Sequence, residues 1–246
     1  MENSQSNGPV LEAVGVGISS ALPRRVKITG VDWTVRPGEF WVVGGANGSG
    51  KTDLLMTVAG LHRAAAGTVR LFGRAVTEMT EAEISRQRGR LGFVFKGGGR
   101  MFTDLTVAEN VALALCYHRN CALEQVREEV HELLERIELA PFALQTAQTL
   151  GSDWQQRVGL ARALALKPEA LLLDEPGAGL EARHRQWWKD YLTRLAGGNS
   201  SEGSRLTIIV TTNEFAPWRG GNRRYALIEH GHWRVLAESA KDLEIE

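Results

Sequence analysis

Apolar and polar positions along the chain alternate between two rhythms. Short runs rich in valine, isoleucine and tryptophan predict strands over 11–16, 26–35 and 40–43, the last entered through the turn Pro37-Gly38. A helix is expected after Gly50, then strands over 68–72 and 91–95, the second followed by Lys96 and the glycine run 97–99. That run reads as a flexible joint, because glycine has no side chain to restrict its backbone. From Thr106 to about residue 166 the helical period takes over. Thr106 and Glu109 have the spacing of a capping box, and 123–139 is amphipathic with one heavily charged side. Strands return over 170–173, 206–210, 225–229 and 233–236, with helices over 181–195 and near the C-terminus. The alternation predicts an α/β core with an N-terminal antiparallel β region and an inserted α-helical subdomain at about 100–166. Residues 1–9 read as a disordered polar tail, leaving 10–246 as one domain.

Composition narrows the class. The 29 basic and 29 acidic residues cancel, so nucleic acid is not expected as a partner. No apolar run approaches the roughly 20 residues of a membrane helix, which predicts a peripheral or soluble protein. Cys116 and Cys121, with no leader segment at the N-terminus, read as reduced thiols, and His118 between them lacks a fourth ligand that would make a metal site. Trp33 and Trp41 fall in strands and read as core. Trp187 and Trp188 are adjacent on a helix, so one should be buried and the other partly exposed.

The sharpest chemical signal is Gly45, Ala46, Asn47, Gly48, Ser49, Gly50, Lys51 and Thr52, with Asp53 next. It follows a strand and opens a helix, the context in which a glycine-rich loop curls its N–H groups around phosphate oxygens. The helix N-terminus adds positive potential there. Lys51 is expected at the β- and γ-phosphates, and the Thr52 hydroxyl on Mg2+. The apolar run Leu171-Leu172-Leu173 ends in Asp174 and Glu175, carboxylates at the C-terminal edge of a strand, where ligands sit in parallel sheets. Asp174 would hold the metal shell, and Glu175 would polarise a water for attack on the γ-phosphate.

Both motifs, with their order and spacing, resemble the nucleotide-binding subunit of ABC transporters over about residues 11–236. Val35-Arg36-Pro37-Gly38-Glu39 is similar to the family's turn before the loop, and 155–164 to its signature helix. Residues 102–111 resemble the segment that meets the transmembrane partner. The opening of that segment, Phe102-Thr103-Asp104, is similar to the ATPases of Mla-type lipid transporters.

Departures from the family stand beside the matches. Lys96 occupies the place of a glutamine that touches metal and water, and a protonated lysine has no lone pair for a cation. The signature turn is Leu150-Gly151-Ser152-Asp153-Trp154. Asp153 would carry a negative charge toward the phosphate that this turn caps across a dimer, a repulsion of roughly 4 kcal/mol at about 4 Å and an effective dielectric near 20. Ser152 with Gln155 should still cap the helix, and Trp154 falls where a nucleotide or partner is expected. Thr212 is taken to stand at the place of the family's phosphate-contacting histidine. The loop after Glu175 ends in Glu181 where the family has aspartate. No aromatic between Val14 and Lys27 can stack on adenine, leaving Arg24 or Arg25 as planar substitutes or plain surface charges.

The resemblance implies a cytoplasmic subunit, peripheral on the inner face of the membrane, that binds ATP and Mg2+. It also implies docking to a transmembrane permease subunit through residues 96–111 and pairing with a second ABC ATPase subunit. A heterodimer is favoured over a homodimer, because mixed pairing leaves each composite site one defect and self-pairing leaves two. The expected catalytic set is Glu175, Lys51, Thr212 and Lys96, and the metal ligands are Thr52 and Asp174. Two readings compete: a working ATPase that powers transport by dimer closure, or a nucleotide-binding structural or regulatory subunit whose hydrolytic parts have decayed. A non-transport relative is a third, although such proteins usually carry two cassettes or a long coiled-coil insertion.

Overall fold

The computed structural model describes residues 8–20, 26–198 and 205–237. The expected C-terminal helix, Arg24, Arg25 and residues 1–7 of the expected tail lie outside these.

Among the described residues one sheet carries ten strands: β1 (Leu11–Ser19), β2 (Val26–Val35), β3 (Phe40–Gly45), β4 (Ala66–Leu71), β5 (Arg74–Ala75), β6 (Leu91–Val94), β7 (Ala170–Leu173), β8 (Thr207–Thr212), β9 (Arg223–Glu229) and β10 (His232–Leu236). Their order is β5-β4-β1-β2-β10-β9-β3-β8-β7-β6. From β9 to β6 every neighbour is parallel, whereas β1 pairs antiparallel with β2 and β4. The parallel strands are covered on both faces, which is why they read as unbroken apolar runs. Their alternation still sorts the side chains. Phe40, Val42, Leu171, Leu173, Ile208 and Val210 join one buried cluster, and Trp41, Val43, Leu172 and Ile209 join the other.

Among the described residues six α-helices accompany the sheet: α1 (Lys51–Val58), α2 (Glu81–Gly89), α3 (Val107–Arg119), α4 (Leu123–Arg136), α5 (Ser152–Leu164) and α6 (Ala182–Ala196). The Thr106–Glu109 capping box forms at the start of α3, with the Thr106 N–H donating to the Glu109 carboxylate at 2.8 Å. A second box, Thr80 with Glu83, starts α2. Sequence reading passed over α2, although the same threonine-to-glutamate spacing marks it. Helices α3 to α5 lie between β6 and β7, and Val111, Leu115 and Leu134 share their buried cluster with Val94 and Leu173 of the sheet. Trp33 and Trp41 are core, 5.5 Å apart edge to face. Trp188 is buried, while Trp187 is half-buried and donates its ring N–H to Glu138.

The glycine run after β6 differs from its expectation. Gly97, Gly98 and Gly99 all have positive φ, and a Cβ at Gly98 would meet the Gln155 carbonyl at 2.6 Å. Gly159 of α5 meets Gly98 equally closely from the other side. These glycines serve close approach between a turn and a helix, and the turn is packed rather than free.

Candidate nucleotide-binding site

β3 delivers Gly45 to the sheet's C-terminal edge, and residues 46–50 curl into α1. Gly50, the residue before α1, has φ 104, a conformation open to glycine and strained for other residues. The turn opens a cleft of about 180 Å³ lined by Asn47, Gly48, Gly50, Lys51, Thr52 and Asp53, with Lys27, Lys96 and Glu175 around it. Lys27 reaches Asp53 at 3.1 Å. The structure therefore brings the expected loop residues together with Lys96 and Glu175.

Lys51 is buried, and its ammonium is fully occupied. It donates to the Gly45 and Ala46 carbonyls at 2.8 and 3.0 Å and to Asn213 Oδ1 at 2.7 Å, and lies 3.1 Å from Glu175 Oε1. Thr52 donates to Asp174 Oδ2 at 2.7 Å, and Thr211 donates to Asp174 Oδ1 at 2.8 Å. Thr52 and Asp174 are adjacent hard oxygen donors, and they fit Mg2+, which takes one or two protein oxygens and completes its shell with phosphates and water.

Glu175 follows β7 with φ 46, a left-handed backbone on a residue with a side chain, of the kind that clusters at functional sites. Its N–H donates to Thr211 Oγ1 at 3.0 Å. Its Oε2 lies 2.6 Å from Lys96 Nζ, so the carboxylate bridges two ammonium groups. Burial alone would raise its pKa, but hydrogen bonds from Lys96 and Lys51 and their charges hold it below the ordinary carboxylate value.

The last residue of β8 does not face the cleft as expected. Thr212 turns away from the cleft: its hydroxyl donates to the Glu214 carbonyl and accepts from the Glu214 N–H. Asn213 faces the site instead. Besides Lys51 it binds Asn47 Oδ1 at 3.0 Å and approaches Glu175 Oε2 at 3.5 Å. Alternation explains the swap, since Thr211 and Asn213 lie on one side and Thr212 on the other. The period-two pattern that sets Thr211 and Asn213 on one side of the strand is the sequence signal for Asn213.

The signature turn is also rearranged. Gly151, not Ser152, precedes α5, with no side-chain cap; Gln155 Nε2 donates instead to the Leu150 and Ala147 carbonyls. The Asp153 carboxylate lies 3.3 Å from His184 of α6, which draws its charge inward. Trp154 packs on Phe142 and His184, and Arg157 lies between the rings of Trp154 and Trp187. The tryptophan expected at a nucleotide or partner is thus part of the packing between α5 and α6.

Comparison with known proteins agrees with this geometry. The profile described as ABC transporter matches residues 28–178. The methionine import ATP-binding protein of Rhizobium etli is 34% identical over 223 residues, 88% of this chain and 60% of that protein. The energy-coupling factor transporter ATP-binding protein of Geobacillus kaustophilus is 30% identical over 234 residues, 95% of this chain and 80% of that protein. The chain thus spans just under two thirds of the methionine-import relative. Among solved structures, a dimeric ATP-binding cassette in a post-hydrolysis state with ADP and Pi superposes with a TM-score of 0.81 at 26% identity, covering 94% of this chain and 99% of that one.

Proposed function

The chain belongs to the ABC transporter family of ATP-binding domains, and on that premise we propose that it is the ATP-binding subunit of a transporter. The observation that carries this reading is the cradle itself: a glycine-rich turn between β3 and α1, a buried Lys51, and Thr52 hydrogen-bonded to Asp174. Lys51 exchanges Glu175 for the phosphates of ATP while Asn213 keeps its hold on the ammonium, and the loop N–H groups bind the remaining phosphate oxygens. Thr52 and Asp174 would hold Mg2+, which would supply neutralisation of phosphate charge. Glu175 is placed to polarise a water.

The subunit works in the cytoplasm against the inner face of the membrane, docked to a permease through residues 96–111. No helix among the described residues is long and apolar enough to cross a membrane. It pairs with a second cassette, a heterodimer being favoured, and closes on ATP. Asp153 no longer argues strongly for mixed pairing, since His184 draws its charge inward. Lys96 and Asn213 still set this half-site apart. Phe102-Thr103-Asp104 suggests lipid, whereas the relatives named above are a methionine importer and an energy-coupling factor transporter ATPase. Calorimetry with Mg-ATP tests the reading: the wild type binds and Lys51→Ala binds far more weakly. Equal affinity in the two proteins rejects it.

A further inference from the structure

We propose that Lys96 is a latch on Glu175, a positioning lysine that keeps the carboxylate engaged after nucleotide draws Lys51 away, so that this site retains ATP and splits it slowly. The inference rests on the ATP-binding reading above.

Glu175 is shared: Oε1 lies 3.1 Å from Lys51 and Oε2 lies 2.6 Å from Lys96. The two lysines differ in what else they can do. Lys51 sits on the phosphate loop, and the same ammonium cannot serve both a phosphate and Glu175 at full strength. Lys96 starts the turn Lys96–Gly98 at the end of β6. That turn is pinned where Gly98 packs against the backbone of Gln155 and Gln156 and against Gly159. Glu175 is equally fixed, through Thr211 and its left-handed backbone. The 2.6 Å pair therefore has both ends anchored independently of Lys51. Its lysine is half-exposed, so water competes for the ammonium and the latch opens reversibly.

The chemical consequence follows from what hydrolysis asks of Glu175. Water oxygen bonds to the γ-phosphorus, and the bond from that phosphorus to the β–γ bridging oxygen breaks. The electron pair leaves on ADP, and a proton of the water passes to the carboxylate and onward to the phosphate product. A carboxylate with one oxygen held by an ammonium is less available to orient the water and take its proton.

Steady-state turnover of the full chain between about pH 5 and pH 9, with Mg-ATP affinity measured alongside, tests the latch in the wild type, Lys96→Gln and Lys96→Arg. Lys96→Gln should raise kcat by about tenfold, the worth of one hydrogen bond to a charged group, and leave affinity within about twofold. Lys96→Arg should keep the slow wild-type turnover. Lys96→Gln turning over no faster than wild type overturns the latch. A fall in both kcat and affinity also overturns it, since Lys96 would then serve the phosphate. Failure of the wild type to bind Mg-ATP rejects the ATP-binding reading itself, whereas intact binding with unchanged kcat rejects the latch alone.

Discussion

The hydroxyl of Thr52 lies 2.7 Å from a carboxylate oxygen of Asp174, although 122 residues separate them along the chain. Parallel strands make that contact possible. β3 ends at the phosphate loop and β7 ends at Asp174, and β8 between them supplies Thr211 to hold the other Asp174 oxygen. The functional edge is therefore assembled where strand ends line up, as in other open α/β sheets.

Asn213 and Thr212 should separate cleanly. Asn213→Ala removes a side chain that binds Lys51 and Asn47, and is expected to weaken Mg-ATP affinity by about tenfold. Thr212→Ala removes a buried local hydrogen bond and should cost about 1 kcal/mol of stability while leaving affinity within twofold. Calorimetry and thermal unfolding of both variants check this. The reverse pattern would return Thr212 to the site.

The Phe102 backbone is tied at both its N–H and its carbonyl to Asn110, itself buried, while its ring is 53% exposed. An exposed apolar ring on a fixed backbone suits a docking contact. Phe102→Asp should release the chain from membranes carrying its permease, without change in Mg-ATP affinity or melting temperature. Membrane fractionation reads the outcome, and retention of the variant counts against this surface.

Acid should destabilise the chain partly through α2. Glu83 titrates at about 2 rather than 4.5, first because the Thr80 backbone N–H bonds its carboxylate and then through hydrogen bonds from Arg74 and Thr80. A depressed folded value means a contribution present above pH 4.5 and lost as pH falls toward 2. The melting temperature of wild type should therefore drop more steeply between those values than that of Glu83→Gln. Parallel curves would show that the box contributes nothing to the acid limb.

Subunit pairing is open to direct measurement. The intact native complex, weighed by mass spectrometry with its cassette chains identified by peptide sequencing, should contain this chain and a second, different cassette. Two copies of this chain and no other cassette would reject the heterodimer.

The sequence by itself determined what depends on near neighbours. The phosphate loop, the strand ending in Asp174-Glu175 and the capping box at Thr106 each form within a few residues, from backbone preferences and local hydrogen bonds. Tertiary structure decided which side chain meets which across strand ends. The place of β8 between β3 and β7 brought Asn213 to Lys51 and left Thr212 bonded to Glu214. Packing of α5 against α6 brought Asp153 to His184 and made Trp154 part of a half-buried ring cluster. Packing of the glycine turn on α5 fixed the turn that Lys96 begins, and Lys96 meets Glu175 from there. Each of these contacts depends on where a second element lies in three dimensions, and local periodicity carries no record of that position.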